Sequence, residues 1–196
     1  VKGSRILELL PTLPTTSHLF YGNSKIGGIS DFYDPRPDSI NPKTNGEKLL
    51  KIIDDEKISQ LIVFDRSYIP FISTIEDELK NRGIENIVVV SAKDSLTFKS
   101  QIKFLINELG ENDLKRLLKK LKDMEIFEQQ FNQYIKNSKL NVIKFSNLIN
   151  NSRYQKIIQN KYISEEMELI VHTSGTSGAM PKPLPLSNDN LNCHVH

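Results

Sequence analysis

The chain has 196 residues, 38% of them hydrophobic and 26% charged, ordinary proportions for a soluble globular chain long enough to build one core. Its 26 basic and 24 acidic residues leave a net charge of +2, which offers no basis for a nucleic-acid groove or an acidic-membrane surface. No apolar run approaches the roughly 20 residues that span a bilayer. The opening Val1-Lys-Gly-Ser-Arg leads into a strand-like run rather than a secretory signal. The single cysteine, Cys193, excludes an internal disulfide and fits a reducing compartment, so a cytoplasmic location is expected.

Arg5 to Leu10 reads as a strand that Pro11 stops. Pro14-Thr-Thr-Ser opens a helix that exits at Gly27-Gly28, proline suiting a first turn and glycine an exit. Ile29 to Tyr33 is a second strand, closed by Asp34-Pro35-Arg36-Pro37. A helix is expected from about Asn45 to Asp55, striped by Leu49, Leu50, Ile52 and Ile53. Leu61 to Phe64 is a third strand. Ser67 to Arg82 reads as one helix, with Ile69, Ile72, Ile75 and Leu79 on one face and Gly83 as its stop. Ile87 to Val90 is apolar throughout, the mark of a strand covered on both faces. This alternation predicts an α/β fold, a mainly parallel sheet with helices on both faces.

The alternation then lapses. Residues 97–135 form a lysine-rich helical segment in which Leu114, Leu117, Leu118, Leu121, Met124 and Phe127 or Phe131 recur at three and four residues. Lys115, Arg116, Lys119, Lys120 and Lys122 lie largely off that stripe. A membrane-surface contact is one reading. The favoured one is a helix on the sheet with a solvated lysine face, since Asp113, Asp123, Glu125 and Glu128 dilute the charge. Asn141 to Phe145 is a short strand, Ser146 to Asn150 a one-turn helix, and Asn151 to Lys161 a polar connector.

The last strand, Met167 to Val171, runs into Thr173-Ser174-Gly175-Thr176-Ser177-Gly178, followed by Lys182 and a helix start at Ser187-Asn-Asp-Asn. Glycines let a backbone approach a polyphosphate and turn its N–H groups inward. Hydroxyls donate to phosphate oxygens, and lysine adds a mobile positive charge. A Walker A loop is excluded, because Ala179 follows Gly178 and Pro183 follows Lys182. Cys193-His194-Val195-His196 has soft ligands at close spacing, but a metal site needs three or four ligands in fixed geometry. No metal site is assigned.

Thr173 to Gly178, with Pro181-Lys182 and Leu186-Ser187-Asn188-Asp189-Asn190-Leu191, resembles the phosphate-loop signature of the acyl-adenylate-forming superfamily, closest to bacterial AMP-forming acyl-CoA synthetases. Ala179-Met180 stand where that pattern usually has one residue, and Pro183 replaces a common glycine. Leu10-Pro11 with Pro14, Lys25-Ile26-Gly27 and Asp34-Pro35-Arg36 carry a weaker likeness upstream. The resemblance implies a ligase that joins ATP and a carboxylate, a fatty acid by preference, into an acyl adenylate. It then transfers the acyl group to coenzyme A, with Mg²⁺ assisting. Thr173, Ser174, Gly175, Thr176, Ser177, Gly178 and Lys182 would hold the phosphates. His172 would pack at the loop base. Both chain ends read as cut, so residues 1–196 are expected to be part of the large N-terminal domain, without the C-terminal domain and incapable of adenylation alone. The alternatives left open are an amino-acid-activating adenylation domain, a non-catalytic nucleotide-binding relative, and an α/β domain with no ligand.

Overall fold

The structure, a computed structural model, describes residues 3–33, 42–95, 100, 114–149, 166–172 and 182–192. Among these residues, seven strands form one sheet: β1 (Arg5–Leu9), β2 (Ile29–Phe32), β3 (Gln60–Phe64), β4 (Asn86–Val90), β5 (Asn141–Lys144), β6 (Met167–His172) and β7 (Pro183–Ser187). Their order is β5-β4-β3-β1-β2-β6-β7, parallel at every step except β6–β7. The helices are α1 (Pro14–Lys25), α2 (Pro42–Glu56), α3 (Asp65–Ser67), α4 (Glu76–Asn81), α5 (Leu114–Asn137), α6 (Phe145–Ile149) and α7 (Asn188–Asn192).

The chain enters in the middle of the sheet. From β1 it steps one way to β2, then returns across β1 to β3 and continues outward to β4 and β5. Right-handed crossovers in opposite directions put their helices on opposite faces. One face carries a core in which Leu7, Leu9, Leu61, Val63, Ile87 and Val89 meet α2, α4 and Phe131 of α5. The alternate residues Ile6, Ile62 and Val90 meet Leu19 of α1 and Phe145 of α6 on the other. The β4 run is therefore covered on both sides, which is why it lacks polar alternation.

Two segments depart from the sequence reading. The expected helix from Ser67 to Arg82 is broken into α3, a π-helical turn at Tyr68–Ile72, and α4. Pro70 has no N–H to contribute to a regular ladder. The Ser73 N–H bonds the Tyr68 carbonyl, five residues back, while the Ser73 hydroxyl bonds the Ile69 carbonyl. The second departure is β7, which the prolines at 183 and 185 hide. Proline is tolerated in a sheet at an edge, and β7 is an edge strand, pairing among the described residues only with β6. In the described portion of the lysine-rich helix, Lys119 and Lys122 are exposed and Phe131 is buried, but Met124, expected on the apolar stripe, is exposed as well.

Gly83 ends α4 at φ +78°, with its N–H on the Lys80 carbonyl and the Ile84 N–H on the Leu79 carbonyl. No atom lies within 4 Å of where a Cβ would sit, so only backbone strain opposes a side chain. Gly83→Ala should cost about 1 kcal/mol, read as a lower urea midpoint with unchanged slope.

Candidate functional site

All six parallel strands end at one edge of the sheet, and β6 ends there at His172. Ligands of open α/β sheets collect at the carboxyl ends of the strands. His172 pairs directly with Pro183 of the antiparallel β7. Residues 173–182 are therefore the connection between two strands whose ends are held together. Thr173, Ser174, Gly175, Thr176, Ser177 and Gly178 lie outside the described residues, as does the Cys193–His196 cluster. Lys182 is described: it is exposed and sits immediately before the paired Pro183. The start of β7 places Lys182 beside the end of β6.

The base of this connection is a polar cluster inside the sheet. His172 Nε2 lies 2.7 Å from Asp31 Oδ1, with the two side chains 4% and 0% exposed. Register makes the contact: Asp31 pairs with Ile170, and His172, two residues on, shares the face of Ile170. The carboxylate accepts, so Nε2 carries the hydrogen and donates. Tyr33 meets the imidazole edge-on at 5.6 Å between centroids. His172 is thus enclosed at the end of β6, with a carboxylate partner that the sequence reading did not expect.

Glu8 sits on the neighbouring strand with its side chain toward α1. Its Oε1 accepts from Asn23 Nδ2 at 2.9 Å and from the Ser30 hydroxyl at 2.8 Å, while Oε2 has no partner among the described residues. Burial pushes this carboxyl up to about 7, against the two hydrogen bonds, and Asp31 adds to the rise. Among the described residues, no group of three or more His, Cys, Asp and Glu is placed to hold a metal ion.

No family model matches the chain, and no curated protein does. Solved structures do. The A domain of a carboxylic acid reductase from Segniliparus rugosus, in complex with AMP and a co-purified carboxylic acid, superposes with a TM-score of 0.58 at 13% identity, over 98% of this chain and 25% of that one. ATP-bound MatB from Rhodopseudomonas palustris gives 0.54 at 14% identity, over 99% and 26%. A long-chain fatty-acid–CoA ligase from Archaeoglobus fulgidus gives 0.51 at 16% identity, over 98% and 26%. The chain has the fold of the adenylate-forming enzymes. It spans about a quarter of the length of these adenylate-forming structures. The agreement extends over nearly all of the chain, so the sheet and the β6–β7 hairpin belong to one shared architecture.

Sequence reading missed Glu8 with its partners Asn23 and Ser30, and missed Asp31 as the partner of His172. The available signal was a glutamate inside Arg5-Ile-Leu-Glu-Leu-Leu10 and an aspartate inside Ile29-Ser-Asp-Phe32, since carboxylates are almost never fully buried unless partnered.

Proposed function

We propose that this chain is part of an ATP-dependent ligase that activates a carboxylate as its acyl adenylate and passes the acyl group to the thiol of coenzyme A, with a fatty acid as the favoured substrate. The supporting observation is positional: the hydroxyl- and glycine-rich sequence begins at the residue after β6, on the carboxyl edge of a mainly parallel sheet, and is followed by Lys182, immediately before the strand that pairs back. In this reading Thr173, Ser174, Thr176 and Ser177 donate hydroxyls to the β- and γ-phosphates. Gly175 and Gly178 let the backbone approach, and Lys182 adds positive charge where pyrophosphate leaves. Mg²⁺ would add charge neutralisation at the same oxygens. Contacts to adenine, acyl chain and coenzyme A are assigned to the remainder of the same protein.

Hydrogen exchange of the 196-residue chain tests the reading. ATP and inorganic tripolyphosphate should both slow exchange across residues 173–182, whereas AMP, which lacks the β- and γ-phosphates, should not. Lys182→Ala should weaken ATP binding by about tenfold or more, the loss of one charge-assisted contact. The chain alone should release no pyrophosphate from ATP with any of a panel of fatty acids. Unchanged exchange with tripolyphosphate would remove the phosphate-loop assignment, and robust turnover would remove the division of labour with the rest of the protein. The residue pair Ala179-Met180 supports a second reading, a relative that binds nucleotide without the chemistry. Nucleotide protection without pyrophosphate exchange in the extended protein would select it.

A further inference from the structure

Three adjacent parallel strands each deliver one cation at the same end of the sheet. Arg66 comes two residues after β3, Lys93 three residues after β4, and Lys144 is the last residue of β5. All three line an open cavity of about 150 Å³ beside α5. It sits on the same edge as the β6–β7 connection but in the opposite half of the sheet, with β1 and β2 between. Its apolar wall is Phe64, Val89, Phe127 and Phe131. A cavity of about this volume has room for one benzene-sized ring.

The charges of the lining are unequally matched. Its carboxylates are already met. Glu128 pairs with Lys93 at 2.8 Å, Asp94 accepts from the Ser91 N–H at 2.8 Å, and Asp65 accepts from the Ser91 side chain and the Arg66 N–H. Two of the cations have donors to spare. The Arg66 guanidinium lies 3.5 Å over the face of Phe127, a contact that uses its charge and not its N–H groups. That charge also reaches Asp65, but among the described residues the guanidinium forms no ion pair. Lys144 donates to the neutral Asn132 Oδ1 at 2.8 Å, which occupies one of an ammonium's three donors. Lys93, by hydrogen bond and charge, and then Lys144 hold the Glu128 carboxyl below its ordinary range. One carboxylate on α5 therefore serves two lysines, and the neighbouring Phe127 carries the arginine.

We infer that this cavity binds a one-ring aromatic carboxylate, its ring against Phe64, Val89 and Phe131 and its carboxylate between Arg66 and Lys144. A guanidinium edge matches a planar carboxylate with two parallel hydrogen bonds, and a phenylalanine wall suits a ring. The site is separate from the phosphate loop and does not depend on the ligase reading.

Benzoate, benzylamine and inorganic phosphate, titrated into the ¹⁵N-labelled 196-residue chain, test this. Benzoate should shift amide resonances at residues 64–66, 91–94, 127–131 and 144 in a saturable manner. Phosphate, which has the charge without the ring, should bind there at least about tenfold more weakly, and benzylamine not at all. Arg66→Gln and Lys144→Met should each weaken benzoate about tenfold, the worth of one hydrogen bond to a charged group. Glu128→Gln removes the competing carboxylate and releases Lys93, so it should bind benzoate about threefold more tightly. No saturable benzoate shift, benzylamine or phosphate binding as tightly as benzoate, or a Glu128→Gln chain that binds benzoate no more tightly than the parent would each overturn the assignment. Glu128 is exposed, so its variant decides the matter even if Arg66→Gln does not fold.

Discussion

Glu8→Gln is expected to be more stable than the parent chain above pH 7, and the advantage should vanish in mild acid. The cause is burial. Glu8 is fully enclosed between β1 and α1, and its carboxyl is pushed from an ordinary 4.5 up to about 7. Between those values the unfolded chain has released this proton and the folded chain has kept it. The folded state binds more protons, so stability falls as pH rises from about 4.5 to about 7 and then levels off. The full displacement corresponds to about 3 kcal/mol. Glutamine imitates the protonated side chain: its Oε1 can still accept from Asn23 and Ser30, and its amide takes the place of the Oε2 that has no partner. Urea unfolding of both chains between pH 4 and pH 8.5 reads the result. The parent midpoint should decline across that window and the variant's should stay nearly flat. Parallel curves at all pH values would show that Glu8 is not the group holding the proton.

The same residue marks the boundary of what sequence can express. The parallel core was legible because β3 and β4 are continuous apolar runs, and a strand covered on both faces has no other way to read. The phosphate-loop expectation rests on local sequence alone, six small residues between a strand and a lysine, and those six lie outside the described residues. The helix start near Ser187 was legible because its chemistry is local: Ser187 and Asn190 exchange hydrogen bonds around the first turn of α7. Glu8 and Asp31 were not, because their partners are set by sheet register rather than by spacing. Asp31 and His172 are 141 positions apart, and nothing in either segment names the other. The π-turn at Tyr68–Ile72 hid behind an amphipathic stripe that continues across it, since Ile72 within the turn and Leu79 beyond it both face the core. Proline chemistry misled in the other direction at β7, where an edge position removes the penalty that a central strand would impose.

Asp31→Ala should destabilise the chain by about 3–5 kcal/mol, the range for breaking a buried pair by removing one member. The two side chains are almost completely enclosed, so no solvent can replace the lost acceptor at His172 Nε2. Asp31→Asn separates charge from hydrogen bonding. The amide oxygen can occupy the position of Oδ1 and accept from Nε2, so the loss should be only about 1–2 kcal/mol, the difference between a charged and a neutral acceptor. A cost for Asn equal to that for Ala would mean that the negative charge, not the acceptor, is what the imidazole needs. The double change Asp31→Leu with His172→Phe removes both polar groups together. It should recover most of the stability, because an apolar pair of similar volume avoids the desolvation cost altogether. Binding then tells the two roles apart. His172 is the last residue of β6 and the paired partner of Pro183, so its position sets where the phosphate-loop sequence leaves the sheet. If the pair serves only to stabilise the strand, the double variant should protect residues 173–182 with tripolyphosphate as well as the parent does. A double variant that is stable yet loses that protection would instead assign Asp31 a positioning role, holding His172 so that the connection begins at the right place.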